Sequence, residues 1–168
     1  GDLPARSGLG SSSSFSVGIL HALHALQGKM MTKGELARQA IYLEQTLLKE
    51  DVGIQDQILT AYGGLNVVEI DPDSAFRVNP IPMEPMRKEL FQHHLMLIYA
   101  GISRTASDVA KSQIESIPQK EQVMREIQDM VLEATKILAG TGDLNDFGRL
   151  LHESWLLKKS ISNMITTS

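Results

Sequence analysis

The sequence predicts an α+β fold, and three observations carry that prediction. Segments with apolar residues every three or four positions run from Ser11 to Gln27, from Thr32 towards residue 49, and from Thr105 almost to the end. Two short extended segments flank Asp71-Pro72-Asp73-Ser74. The order helix, helix, hairpin, strand, helices is that of an α+β domain and not of alternating βαβ units.

Residues 1–10 are rich in Gly and Pro and read as loop. Ser11 to Gln27 reads as the first helix. Phe15, Ile19, Leu23 and Leu26 form its apolar face, which is expected to be buried, and Gly28 stops it. Thr32 followed by Glu35 is a capping box that opens a second helix with Leu36, Ala40, Leu43 and Leu47 as its stripe. Residues 50–55 turn around Gly53. A short helix from Asp56 to Tyr62 ends at Gly63-Gly64.

Leu65 to Ile70 is rich in β-branched residues. With Phe76 to Asn79 it reads as a hairpin over the Asp71–Ser74 turn. Pro80, Pro82 and Pro85 mark the stretch 80–92 as the boundary between two lobes, with a short helix after Pro85. Leu95 to Tyr99 reads as a strand closed by Gly101. Helical patterns follow, divided at Pro118. Met124, Ile127, Val131 and Leu138 keep a helical period, and Gly140 and Gly142 stop it. Asp143 caps a last helix, whose buried face is expected to carry Phe147, Leu151 and Ile161.

Composition narrows the function. The 168 residues, 42% hydrophobic, suffice for a core of about one domain or two small lobes. The net charge of −4, without a basic block, argues against nonspecific nucleic-acid or anionic-membrane binding. The absence of Cys excludes a disulfide scaffold, a thiol nucleophile and a zinc site built on sulfur, and it fits a reducing cytosol. No apolar run approaches the roughly 18 residues of a membrane span.

Three features are able to carry chemistry. Gly8-Leu9-Gly10 runs into Ser11-Ser12-Ser13-Ser14 at a helix start. The glycines let backbone N–H groups approach an anion, and the helix adds unpaired N–H groups and the positive end of its dipole. The serine hydroxyls suit phosphate oxygens or Mg²⁺. The same pattern reads equally as a flexible Gly/Ser linker or a helix cap. Asp56, in Asp51-Val52-Gly53-Ile54-Gln55-Asp56-Gln57, reads on its own as a helix cap and alternatively as a base or orienter for a hydroxyl nucleophile. Glu44, beside the stripe of the second helix, reads on its own as a solvated flank and alternatively as a ligand for a hard cation. The five His residues form no convincing metal cluster and read as structural or surface groups. Arg104, after a strand, suits a sugar phosphate through bidentate contacts and equally an exposed loop.

Together these pieces resemble the GHMP kinases. Pro4 to Ser13 matches the family's phosphate loop, and Gly53-Ile54-Gln55-Asp56-Gln57 is similar to the segment that carries the catalytic Asp in galactokinase-type members. Five stretches resemble, more narrowly, the heptose 7-phosphate kinases of the family: 10–18, 37–44, 55–64, Tyr99-Ala100-Gly101-Ile102-Ser103-Arg104, and Phe147-Gly148-Arg149-Leu150-Leu151-His152-Glu153.

The resemblance implies a two-lobed GHMP-kinase-like fold. Residues 1–92 would be part of the ATP-binding lobe and 93–168 part of the C-terminal lobe. It implies ATP and Mg²⁺, with Gly8, Leu9, Gly10, Ser11, Ser12 and Ser13 on the ATP phosphates. It implies Ser12 and Glu44 on the metal, Asp56 as the catalytic residue, and Arg104 towards the substrate. It implies phosphorylation of the anomeric hydroxyl of a heptose 7-phosphate in the cytoplasm; a fucose or galactose kinase and a noncatalytic binding protein are the alternatives. The family's first motif would precede Gly1 and its third would follow Ser168. On that reading the chain is a central piece, incomplete at both ends and inactive alone.

Overall fold

The computed structural model describes residues 9–98 and 120–161. Helix α1 (Ser11–Leu26) is followed by α2 (Lys33–Ile41), which runs on as a π-helical segment (Tyr42–Leu47). Helix α3 (Gln55–Tyr62), strands β1 (Asn66–Ile70) and β2 (Phe76–Pro80), and α4 (Pro85–His93) come next. Helices α5 (Glu121–Ala139) and α6 (Asn145–Ile161) complete the described elements.

Local chemistry explains most of the ends. The α1 helix closes on Gly28, at φ +68°, with Gly28 N–H donating to Ala25 O and Lys29 N–H to His24 O, the paired bonds of a Schellman stop. The Thr32–Glu35 capping box is present in both directions. The Thr32 hydroxyl and backbone N–H, in that order, hold the Glu35 carboxyl below its ordinary range. The π segment begins where α2 would have continued, with Leu48 N–H reaching back five residues to Leu43 O. Gly63 and Gly64, both at positive φ, turn the chain out of α3.

The hairpin pairs antiparallel with Val68 opposite Val78, and Ser74, at φ +66°, completes its turn. Helix α4 starts on Pro85, where a missing N–H costs nothing. The Arg87 guanidinium donates to Ile137 O, Leu138 O and Gly142 O, so α4 holds the carbonyl end of α5. The Asp143 carboxylate accepts the Asn145 N–H at 2.9 Å and opens α6 as expected.

Three expectations need correction. The Phe15–Ile19–Leu23–Leu26 face of α1 is exposed, Phe15 at 72% and Leu26 at 84%, while Ser13, Ser16 and Val17 are buried. Val17 packs on Leu36 and Ala40 of α2, whose small Ala40 allows a close approach, and Ser13 bonds Glu44 in the π segment. The segment 95–98 forms no strand and its side chains are exposed; a strand needs a partner, and among the described residues β1 and β2 pair only with each other. On α6 the buried residue is Leu150, with Ile161, and not Leu151, whose neighbouring position points outward. The expected strand end at Tyr99 and the helix after Thr105 lie outside the described residues.

The cores are separate. Val17, Leu36 and Ala40 pack together with Leu20 and Ala61 beneath the first three helices. Leu138, Leu144, Leu150 and Ile161 are buried around α5 and α6. An apolar cavity of about 390 Å³ opens between α3, the hairpin and these two helices, bordered by Leu59, Val68, Ile127, Met130 and Leu150. Neither Asp56 nor Glu44 lines it. Among the described residues no helix is long and apolar enough to cross a membrane.

Candidate active site

The site is built from the start of α1, the π segment and the first turn of α3. Gly10 precedes α1 in the left-handed region, at φ +65° and ψ 25°. A side chain there would be strained, and it would also crowd Asp56: a Cβ on Gly10 would stand 3.2 Å from its Cγ and Oδ2. The glycine therefore allows the loop to lie directly against the Asp56 carboxylate. No side chain caps α1 and its first turn carries no acid. Ser14 N–H bonds Gly10 O at 2.9 Å, and the N–H groups before it have no acceptor within the helix. This end of α1 thus offers donors and a positive dipole end beside an exposed carboxylate.

Asp56 does not cap α3. Ile54 occupies the cap position, with no side-chain bond, and Asp56 sits exposed in the first turn, where a negative charge is favourable. Its neighbour Gln57 turns the other way and is fully buried.

Glu44 is not the solvated flank that its type suggests; it is 1% exposed. The spacing Leu36–Ala40–Glu44 keeps it on the buried side of its helix, while the wider π turn carries Leu47 out to solvent. Its Oε2 accepts the Ser13 hydroxyl at 3.0 Å and the Gln57 amide N–H. Its Oε1 is buried with no hydrogen-bond partner, and Glu44 makes no ion pair, both among the described residues. A buried carboxyl group with one oxygen unpartnered and no ion pair is costly, so packing alone does not explain its place.

The expected site residues are thus distributed as follows. Gly10 meets Asp56, and Ser13 meets Glu44. Ser11 is half-buried, and Leu9 and Ser12 are exposed at the same helix start. The serine bonded to Glu44 is Ser13, one residue beyond the expected Ser12. Gly8 and Arg104 lie outside the described residues. Gln57 was given no role by sequence reasoning. The available signal was an amide at a helix position followed by Ile58, which is also fully buried. Of the histidines, His24 Nε2 pairs with Gln39 Oε1 at 2.8 Å, His94 Nδ1 pairs with Leu90 O, and His21, His93 and His152 are exposed. His93 and His94 stand at the end of α4, not on a strand. Among the described residues no group of three or more His, Asp or Glu forms a ready-made metal cage.

A family comparison covers this part of the chain. The profile for "GHMP kinases N terminal domain" matches residues 1–64, which contain Gly10, Ser13, Glu44, Asp56 and Gln57. The chain carries a GHMP kinase N-terminal domain. It is 26% identical over 171 residues to the D-glycero-alpha-D-manno-heptose 7-phosphate kinase of Campylobacter jejuni, covering 98% of this chain and 49% of that enzyme. It is 29% identical over 173 residues to the L-fucokinase/L-fucose-1-P guanylyltransferase of Bacteroides fragilis, covering 96% of this chain and 17% of that protein. Among solved structures it resembles a D-glycero-D-manno-heptose 1-phosphate kinase from Bacteroides thetaiotaomicron. The TM-score is 0.73 at 27% identity, over 95% of this chain and 46% of that one. The chain spans about half the length of the heptose kinases it resembles, and less of the bifunctional fucokinase.

Proposed function

We propose that the protein acts as an ATP-dependent sugar kinase that phosphorylates the anomeric hydroxyl of a heptose 7-phosphate. Its product would feed the synthesis of nucleotide-activated heptose for surface polysaccharide, in the cytoplasm. The observation that carries the kinase reading is the meeting of the Gly10 loop with Asp56 at the uncapped start of α1, next to the buried Glu44–Ser13–Gln57 cluster. The choice of heptose is supported by the likeness to two heptose phosphate kinases.

On this reading the N–H groups from Gly8 to Ser13 hold the ATP phosphates against the α1 dipole. Asp56 takes or steers the proton of the sugar hydroxyl. The anomeric oxygen then bonds to the γ-phosphorus as the bond to the β,γ-bridging oxygen breaks, and ADP leaves. Ser12 and Glu44 are the residues that would hold Mg²⁺. The fit rests on the unpartnered buried Oε1 of Glu44 and on oxygen donors of the type hard cations prefer. When bound, the cation neutralises charge on the phosphate oxygens. Arg104 is assigned to the sugar phosphate.

The test is a panel of heptose 7-phosphate, fucose, galactose, mevalonate and homoserine offered with ATP to the complete protein, with the product position read by ³¹P and ¹H NMR. Phosphorylation of the heptose at C1 is expected. Turnover of fucose or galactose alone would keep the kinase and replace the sugar, and absence of both turnover and ATP binding would sink the kinase. Asp56→Asn is expected to lower kcat about a thousandfold while ATP affinity stays unchanged, because the carboxylate acts on the nucleophile.

A further inference from the structure

Helix α3 buries two side chains, Gln57 and Ile58. Ile58 needs no explanation beyond packing. Gln57 does, because burying a primary amide is costly unless both its ends are bonded. Only one end is bonded: Nε2 donates to Glu44 Oε2, whereas Gln57 Oε1 has no partner among the described residues. An apolar side chain would fill the position at lower cost, so packing alone does not account for the amide.

Its consequence falls on Glu44. Gln57 and Ser13, from two different helices, donate to the same oxygen of that carboxylate. Two donors on Oε2 fix the plane of the carboxylate and leave Oε1 as its unpartnered oxygen among the described residues. Gln57 also follows Asp56 directly, so its bond ties the turn that presents Asp56 to the segment that presents Glu44.

We propose that Gln57 is a positioning residue: it sets the rotation of the Glu44 carboxylate so that Oε1 is kept for a divalent cation, and it holds the Asp56 turn in register with that carboxylate. This rests on the reading of Glu44 as a Mg²⁺ ligand. Second-sphere partners of this kind typically matter about ten- to a hundredfold in metal affinity or activity.

The experiment measures ADP binding to the complete protein by calorimetry, with and without Mn²⁺, so that no turnover is involved. The ratio of the two affinities reports metal coupling, and a loss of fold integrity would move both arms together. Gln57→Met, which keeps the shape and removes the donor, is expected to lower the ratio about tenfold with the metal-free affinity unchanged. If that variant does not fold, Gln57→Asn, whose amide is too short to reach Oε2, is read in the same way. Glu44→Gln serves as the reference and is expected to remove the coupling. A full loss in Glu44→Gln beside an unchanged ratio in the Gln57 variant overturns the positioning role alone. Unchanged ratios in both overturn it together with the metal reading. An equal weakening of both arms in the Gln57 variant makes the residue merely structural and also overturns the proposal.

Discussion

The first three helices bury polar groups among apolar ones, whereas the α5–α6 pair buries apolar side chains alone among the described residues. Under α1–α3, Ser13, Ser16, Glu44 and Gln57 are buried beside Val17, Leu36 and Ile58. Around α5 and α6 the buried side chains are Leu138, Leu144, Leu150 and Ile161, with no buried polar group among the described residues. Helix α1 even turns Phe15 and Leu26 outward while it covers serines. Burial of polar groups opposes stability unless their bonds are fully satisfied, and here the bonds of Glu44 and Gln57 are not. The contrast teaches that one region is organised to present groups and the other to hold a shape.

The largest effect that tests this contrast is in the second region. Leu150→Ala is expected to cost about 2–4 kcal/mol in urea unfolding, whereas Leu151→Ala, at a position 51% exposed, is expected to cost under about 1 kcal/mol. Equal losses would mean that the helix buries both residues and that the contrast is overstated.

The next effect has the opposite sign. Glu44→Gln keeps an oxygen for Ser13 and Gln57 and removes a buried charge that has no counter-charge. It is expected to stabilise the metal-free protein by about 1–2 kcal/mol, read as a higher Tm, while the proposed phosphoryl transfer is lost. A loss of stability comparable to Leu150→Ala would instead make Glu44 a structural residue and would break the comparison.

The smallest effect sharpens the shape-holding side. The Asn145 backbone N–H, and then its side chain, hold the Asp143 carboxyl below the ordinary aspartate value of 3.8. A group with a lowered pKa in the folded state binds fewer protons there than in the unfolded state. Its contribution is therefore complete above pH 3.8 and lost as the pH falls through the lower folded value. Asp143→Asn is expected to be slightly less stable than the parent near pH 7, with the gap closing below that range in acid unfolding curves. A constant gap across the acid range would show that the cap acts without its charge.

How much of this was legible in the sequence differs along the chain. The capping box at Thr32 and Glu35, the stop at Gly28, the hairpin turn from Asp71 to Ser74, the Pro85 start and the Asp143 cap were all readable, because each is decided by a few adjacent residues. The residue types of the site were readable as well: Gly10, the serines, Glu44 and Asp56 stand in a pattern that resembles a known phosphate-transfer family. Periodicity failed at α1, where it marked the wider apolar stripe as buried, and at 95–98, where an apolar run did not become a strand.

The sequence by itself determined where helices and turns begin and end, since capping bonds and backbone restrictions act over three or four residues. Only the tertiary structure decided which face of α1 is covered, that Ser13 and not Ser12 bonds Glu44, and that Gln57 is joined to the same carboxylate. Those outcomes depend on how closely helices from distant parts of the chain approach. The small side chains of α2 and the bare backbone of Gly10 set that approach, and a one-dimensional pattern carries no record of distance.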